Sequence, residues 1–252
     1  MQVISIVNRR GGVGKTATAH ALGAGLAHRG HRVLFVDLDS QGNLTFDLGV
    51  TLGTMLGSMD LLTRREVPAD LIRHAGDNMD LIPAETGLAL ADVTLTQTGR
   101  EYRLKEALKP IREQYDYVIV DTPPALGILT INALTASDSC IIPAQAEIHS
   151  IQGIQLLQDA IIAVQDYTNP QLKVSCILLT RYNGRAILSR DMREQLERIA
   201  ELTGTTLFKT PIRECIAIKE AQALQTDIFT YSPKSNAVMD YTPLVDYVEK
   251  SK

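Results

Sequence analysis

Nine residues near the start of the chain constrain its fold more than any others: Asn8, Arg9, Arg10, Gly11, Gly12, Val13, Gly14, Lys15 and Thr16. They follow an apolar run at 3–7 and lead into a helical pattern that continues to about residue 29. A strand that turns through glycines into a helix aims successive backbone N–H groups and the positive helix end at one point. That arrangement binds phosphate. Lys15 is placed to reach β and γ phosphates, and the Thr16 hydroxyl to ligate Mg²⁺. The ordinary G-x-x-x-x-G-K-[ST] pattern needs glycine where this chain has Arg9, so the loop is of an unusual type.

Apolar runs at 3–7, 33–36, 117–120, 140–143 and 174–180 are nearly continuous, as in parallel strands covered on both faces. Shorter candidates lie at 79–83 and 206–208. Helical patterns at about 14–29, 101–114, 151–166, 189–203 and 236–250 alternate with them, which predicts repeated βαβ units. Ser189 is the expected cap of the fourth of these helices. The stretch 49–76 gives no clear pattern. With no repeat, linker or low-complexity segment, residues 1–252 are expected to form a single α/β domain, a mostly parallel central sheet with helices on both faces.

The composition agrees with an ordinary globular protein: 252 residues, 45% hydrophobic and 21% charged, with no run long enough to span a bilayer. No secretion signal precedes the first strand, so a cytoplasmic location is expected. The net charge of -4 excludes a uniformly basic nucleic-acid coat protein. Cys140, Cys176 and Cys215 are odd in number and widely spaced, which argues for free thiols rather than a disulfide framework or zinc site.

Acids leave the ends of two further strands. Asp37 and Asp39 follow the run at 33–36, and Asp121 follows 117–120 and precedes Thr122, Pro123 and Pro124. The carboxyl edge of an open α/β sheet is where ligands bind, so all three are candidates for one site. Being two apart where a strand becomes a turn, Asp37 and Asp39 are assigned different jobs.

The loop, with a basic residue at position 10 before Gly11-Gly12-Val13-Gly14-Lys15-Thr16, resembles the deviant Walker loop of the ParA/MinD superfamily. The likeness continues through Asp37 to Asn43, Asp121 to Pro124, Ala144-Gln145-Ala146-Glu147, Thr180-Arg181-Tyr182-Asn183 and Thr210-Pro211-Ile212-Arg213. It covers essentially the whole chain and is closest to ParA partition ATPases. The resemblance implies an ATP-dependent switch. Gly11, Gly12, Val13, Gly14, Lys15, Thr16, Ala17 and Pro211 would bind nucleotide, and Thr16, Asp37 and Asp121 would serve Mg²⁺, with Asp37 also supporting the loop. Lys15, Asp39 and Arg10 would carry catalysis, Asp39 by positioning the attacking water. ATP would lie between two subunits of a homodimer, with residue 10 reaching the partner's nucleotide. That dimer would bind non-specific DNA on the nucleoid until a ParB-like centromere-binding protein stimulated hydrolysis.

Because the loop begins within ten residues of the start, no N-terminal helix-turn-helix domain is expected. DNA contacts would come from Arg181, Arg185, Arg190, Arg213, Lys219 and Lys234. Two positions depart from the family's lysine-first, double-threonine form: Arg10 and Ala17. Arginine keeps the charge but is larger and planar, so binding is expected to persist while hydrolysis weakens.

A MinD-like membrane switch shares this site and is the alternative. Its C-terminal stripe of Tyr241, Leu244, Val245 and Val248 is backed by Asp240, Asp246 and Glu249, which an anionic membrane repels. That helix is expected to dock on its own core. An iron-sulphur reductase would need paired cysteines near the dimer axis, and Cys140 has no partner in sequence.

Overall fold

A computed structural model describes residues 1–51 and 56–251. Among these residues seven strands form one sheet: β1 Gln2–Ile6, β2 Val33–Asp37, β3 Arg73–Gly76, β4 Met79–Ile82, β5 Tyr117–Asp121, β6 Ser139–Ala144 and β7 Lys173–Leu179. Their order is β3-β4-β2-β5-β1-β6-β7, and every pairing is parallel except β3 with β4. The expected parallel sheet is therefore present. Residues 206–208 add only a bridge, Leu207 beside Ile177. The unexpected β3 is a bulged edge strand of Arg-His-Ala-Gly, a composition with no strand signal.

Side-chain alternation explains why both faces are covered. Ile4, Ile6, Val33, Phe35, Tyr117 and Ile119 join one apolar cluster, while Val3, Leu34, Val36, Val118 and Val120 join another. Strands buried on both sides carry no polar alternation, which is what made them legible as apolar runs.

Eleven helices are found among the described residues. In chain order they are α1 Lys15–His28, α2 Asn43–Asp47, α3 Ser58–Arg64, α4 Ala91–Thr94, α5 Arg103–Leu108, α6 Ile128–Ala136, α7 Ile148–Tyr167, α8 Ile187–Leu202, α9 Ile216–Ala223, α10 Ile228–Tyr231 and α11 Asn236–Lys250. The pattern at 101–114 resolves into α5 flanked by 3₁₀ turns. Part of the unassigned stretch, 52–55, lies outside the described residues. None of the described helices is long and apolar enough to cross a membrane.

The apolar stripe of α11 is buried as expected, with Tyr241, Leu244, Val245 and Val248 in the cluster that also holds α1. Its acids are engaged too. Asp246 and Glu249 pair with Arg29, and His31 meets Glu249 at 2.7 Å. Asp240, expected on the outer face, is instead buried against Arg213.

Candidate functional site

β1 is followed by buried Val7 and Asn8, and the Asn8 amide ties the start of the loop to β6 by donating to the Pro143 carbonyl at 2.6 Å. Its oxygen accepts the Arg10 N–H at 2.9 Å. The backbone then turns through Gly12 and Gly14, whose φ values of 75° and 85° lie where a side chain is strained. Gly14 is the N-cap of α1. Thr180, just beyond β7, donates its hydroxyl to the Val13 carbonyl at 2.7 Å, and Gln145 beyond β6 donates to Gly12 at 3.1 Å. Three strand ends thus hold one loop.

Lys15 is buried, and its ammonium donates to the Arg10 carbonyl at 3.0 Å across the loop. Burial lowers its pKa, opposed by the nearby charges of Asp121 and Asp39. Thr16 donates its hydroxyl to Asp121 Oδ2 at 2.7 Å. Asp121 lies level with Asp37 on the neighbouring strand β2. Burial pushes the Asp121 carboxyl well above its ordinary value, and the Asp37 charge adds to that, while Thr16 and Lys15 oppose it. Two carboxylates buried side by side raise the cost of ionising both.

Asp37 and Asp39 have different surroundings, as expected. Asp37 is fully buried. Its oxygens accept from the Asp39 N–H at 3.0 Å and from the N–H and hydroxyl of Thr45 at 2.9 and 2.7 Å. With three donors, Asp37 braces the segment between β2 and α2. Neither Asp37 nor Asp121 lines the cleft itself, and Asp121 reaches its wall through the Thr16 hydroxyl. Asp39 does line it, beside Lys15, and accepts the Gln41 N–H at 3.1 Å.

The cleft has a volume of about 580 Å³, within the range of small-molecule sites. Gly11, Gly12, Gly14, Lys15, Thr16 and Asp39 line it together with Ile212, Arg213, Glu214 and Cys215. Ala17 lines it as well, whereas Val13 and Pro211 do not. Of the three thiols, Cys140 and Cys176 are buried and Cys215 is partly open at the cleft.

The oxygen donors suit a hard cation. Among the described residues no three His, Cys, Asp or Glu side chains form a metal cage. A Thr hydroxyl and one or two carboxylates, completed by phosphate oxygens and water, match what Mg²⁺ takes.

The basic candidates separate. Arg213 grips buried Asp240 through its backbone N–H at 2.9 Å and its guanidinium at 2.7 Å, and Lys219 lies 4.0 Å from Glu214. Both line the cleft. Arg181 lines it too but is exposed, like Arg185, Arg190 and Lys234, and these four make no ion pair among the described residues.

Thr45, Gln145, Thr180 and Asp240 were not read from the sequence as site residues. Gln145 and Thr180 stand in segments whose family likeness assigns them no role. Thr45 and Asp240 carry no local signal, since each acts on a residue eight or more positions away.

Fold and loop define a phosphate-loop nucleotide-binding protein of the deviant type. Comparison with known proteins narrows this. A family model described as an AAA domain matches residues 1–174. The sporulation initiation inhibitor protein Soj of Bacillus subtilis is 39% identical over 250 residues, 98% of each chain. The chromosome partitioning protein ParA of Myxococcus xanthus is 35% identical over 246 residues, 96% of this chain and 86% of that one. A crystal structure of cobyrinic acid a,c-diamide synthase from Mycobacterium smegmatis with bound ADP and magnesium matches at a TM-score of 0.85 and 34% identity, covering 98% of this chain and 93% of that one. The chain belongs to the AAA-domain family and, within it, to the ParA/Soj partition ATPases. The names of these relatives span different activities, so the kinship fixes family and fold rather than cargo.

Proposed function

We propose that this protein is an ATP-dependent switch for plasmid or chromosome partition. The observation that carries the reading is that Lys15 and Thr16 line the cleft under a glycine loop while buried Asp121 accepts from the Thr16 hydroxyl at 2.7 Å. The M. smegmatis relative, solved with ADP and magnesium, supports the same occupant here.

In this reading the N–H groups of residues 11–16 hold the phosphates, and Lys15 leaves the Arg10 carbonyl to meet the β and γ oxygens. Thr16 and Asp121, with Asp37 level with Asp121, would hold Mg²⁺, which would supply charge neutralisation of the phosphate oxygens. Asp39 orients the attacking water, and Asp37 fixes Asp39 through its backbone N–H. The purine end lies along Ile212 to Cys215, where Arg213 is fixed by Asp240. ATP completes a homodimer in which Arg10 reaches the partner's nucleotide. The dimer binds DNA without sequence preference, and a ParB-like protein stimulates hydrolysis and release. Intrinsic turnover is slow, on the order of 10⁻⁴ to 10⁻² per second, as in switch NTPases awaiting a stabilising group.

DNA retention with ATP, ADP and a non-hydrolysable analogue, with and without a candidate centromere-binding protein, tests the reading. Retention is expected only in the triphosphate states and is lost when the partner is added with ATP. Equal retention in ADP would sink the switch. Turnover that required a carboxylate substrate and an amine donor would replace it by a small-molecule ligase built on the same fold. Burial of the α11 stripe in the protein itself supports this reading over the membrane alternative.

A further inference from the structure

Arg10 is not free in the single chain. Its Nη2 lies 2.5 Å from Glu147 Oε2, in a pair whose side chains are 32% and 49% exposed. Glu147 stands at the N-cap of α7, yet its side chain caps no helix N–H. It turns back to the loop instead. Two residues earlier, Gln145 donates to Gly12 at 3.1 Å, so the segment after β6 touches the loop at two points. The other arm of the guanidinium, Nη1, is buried and has no hydrogen-bond partner among the described residues.

Two physical points follow. A half-exposed ion pair is a weak bond, worth at most about five-fold in an equilibrium, so it opens readily. A buried N–H without an acceptor is a cost that a better partner removes, and the arginine fork is matched to phosphate oxygens. The closed pair is thus poised to be exchanged for a phosphate.

We propose that Glu147 is the positioning residue for Arg10: the pair holds the guanidinium against its own subunit, and its opening is the step that frees Arg10 for the nucleotide of a second copy. The inference rests on the dimer reading above. A homodimer opens two such pairs, so the effect on dimer dissociation is the square of the effect of one. If one pair is worth about three-fold, within the range for exposed pairs, removing both favours the dimer by about ten-fold.

The test is sedimentation of the full chain with Mg²⁺ and the analogue AMPPNP, comparing wild type, Glu147→Gln and Glu147→Asp. Aspartate keeps the charge but is one methylene too short to reach. Both variants are expected to dimerise at about ten-fold lower protein concentration than wild type. If Glu147→Asp behaves as wild type while Glu147→Gln does not, simple charge relief explains the effect and the positioning role is overturned. Nitrogen-15 spectra of the arginine side chains supply a readout independent of assembly. In nucleotide-free protein the Arg10 guanidinium is expected to show restricted rotation that both variants abolish, and a signal already averaged in wild type would overturn the pair. A wild type that stays monomeric with AMPPNP, while its Arg10 signal is restricted, would overturn the dimer reading and the inference built on it, without denying the contact itself.

Discussion

Asp47 ends α2 with its carboxyl buried and accepting one hydrogen bond, from the Gln222 amide at 2.7 Å. Burial pushes its pKa from 3.8 to about 6, with Gln222 opposing the shift. Between those values the folded protein holds a proton that the unfolded chain has released. The group's stabilising contribution is therefore complete at low pH and is lost as pH rises through about 6. Asp37 and Asp121, both raised by burial, tilt stability the same way until a cation or Lys15 compensates them. Asp47→Asn keeps an oxygen for Gln222 and removes the charge. It is expected to gain about 1–2 kcal/mol at about pH 7.5 and nothing at about pH 4, as measured by urea unfolding at the two pH values. An equal gain at both would assign the effect to packing rather than charge. The loop residues were legible because their chemistry is local: glycines, Lys15 and Thr16 are contiguous. Asp47 was not, because its neighbour Gln222 is 175 residues away.

α1 shows what an element-level pattern hides. Its apolar residues are buried on all sides, so it has no solvent face, and two of its glycines lie where other elements press closest. A Cβ on Gly23 would stand 2.2 Å from the Phe35 ring, and one on Gly25 would stand 2.5 Å from Val245 Cγ2. The helix is clamped between the sheet and α11, which fixes the height of Lys15 and Thr16 over the strand ends. Alanine suits a helix better than glycine by roughly 1 kcal/mol, but overpacking costs about 1–3 kcal/mol. Gly25→Ala is expected to lower stability by about 1–2 kcal/mol, and Val245→Ala in the same chain to restore part of it. Thermal melts of the three variants decide this, and a stabilised Gly25→Ala would show the contact to be slack. α8 carries a different lesson. Ser189 was the expected cap, but the helix begins at Ile187 after a turn in which Asn183 accepts the Arg185 N–H at 3.1 Å. A side-chain-closed turn upstream set the boundary, and Ile187 and Leu188 are left exposed between Arg185 and Arg190 in the chain.

For the whole molecule, charge pairing divides the basic residues more sharply than their positions in sequence did. Arg181, Arg185, Arg190 and Lys234 remain available for phosphate contacts, whereas Arg213 is bound to Asp240. If the proposed DNA binding uses such free cations, Arg185→Ala and Arg190→Ala each reduce the slope of log affinity against log salt by about one per subunit. Arg213→Ala is expected to weaken nucleotide binding and stability while leaving the salt slope of any remaining DNA binding unchanged. Fluorescence anisotropy on a random duplex at several salt concentrations separates the two classes. A slope reduced equally by all three substitutions would reject the division.

The amino-acid sequence determined the class of the molecule. Buried strands have to be apolar, a phosphate loop needs glycine at fixed positions, and acids at strand ends follow directly in the chain, so each is a local statement that sequence can carry. Which of those acids faces the cleft was decided by tertiary structure. Asp37 and Asp39 are two residues apart, but Thr45 captures one and leaves the other beside Lys15. The same holds for Arg10 at the loop. Its charge could be read from the sequence, whereas its engagement by Glu147, 137 residues further on, exists only because β6 ends beside β1 and delivers the start of α7 to the glycines.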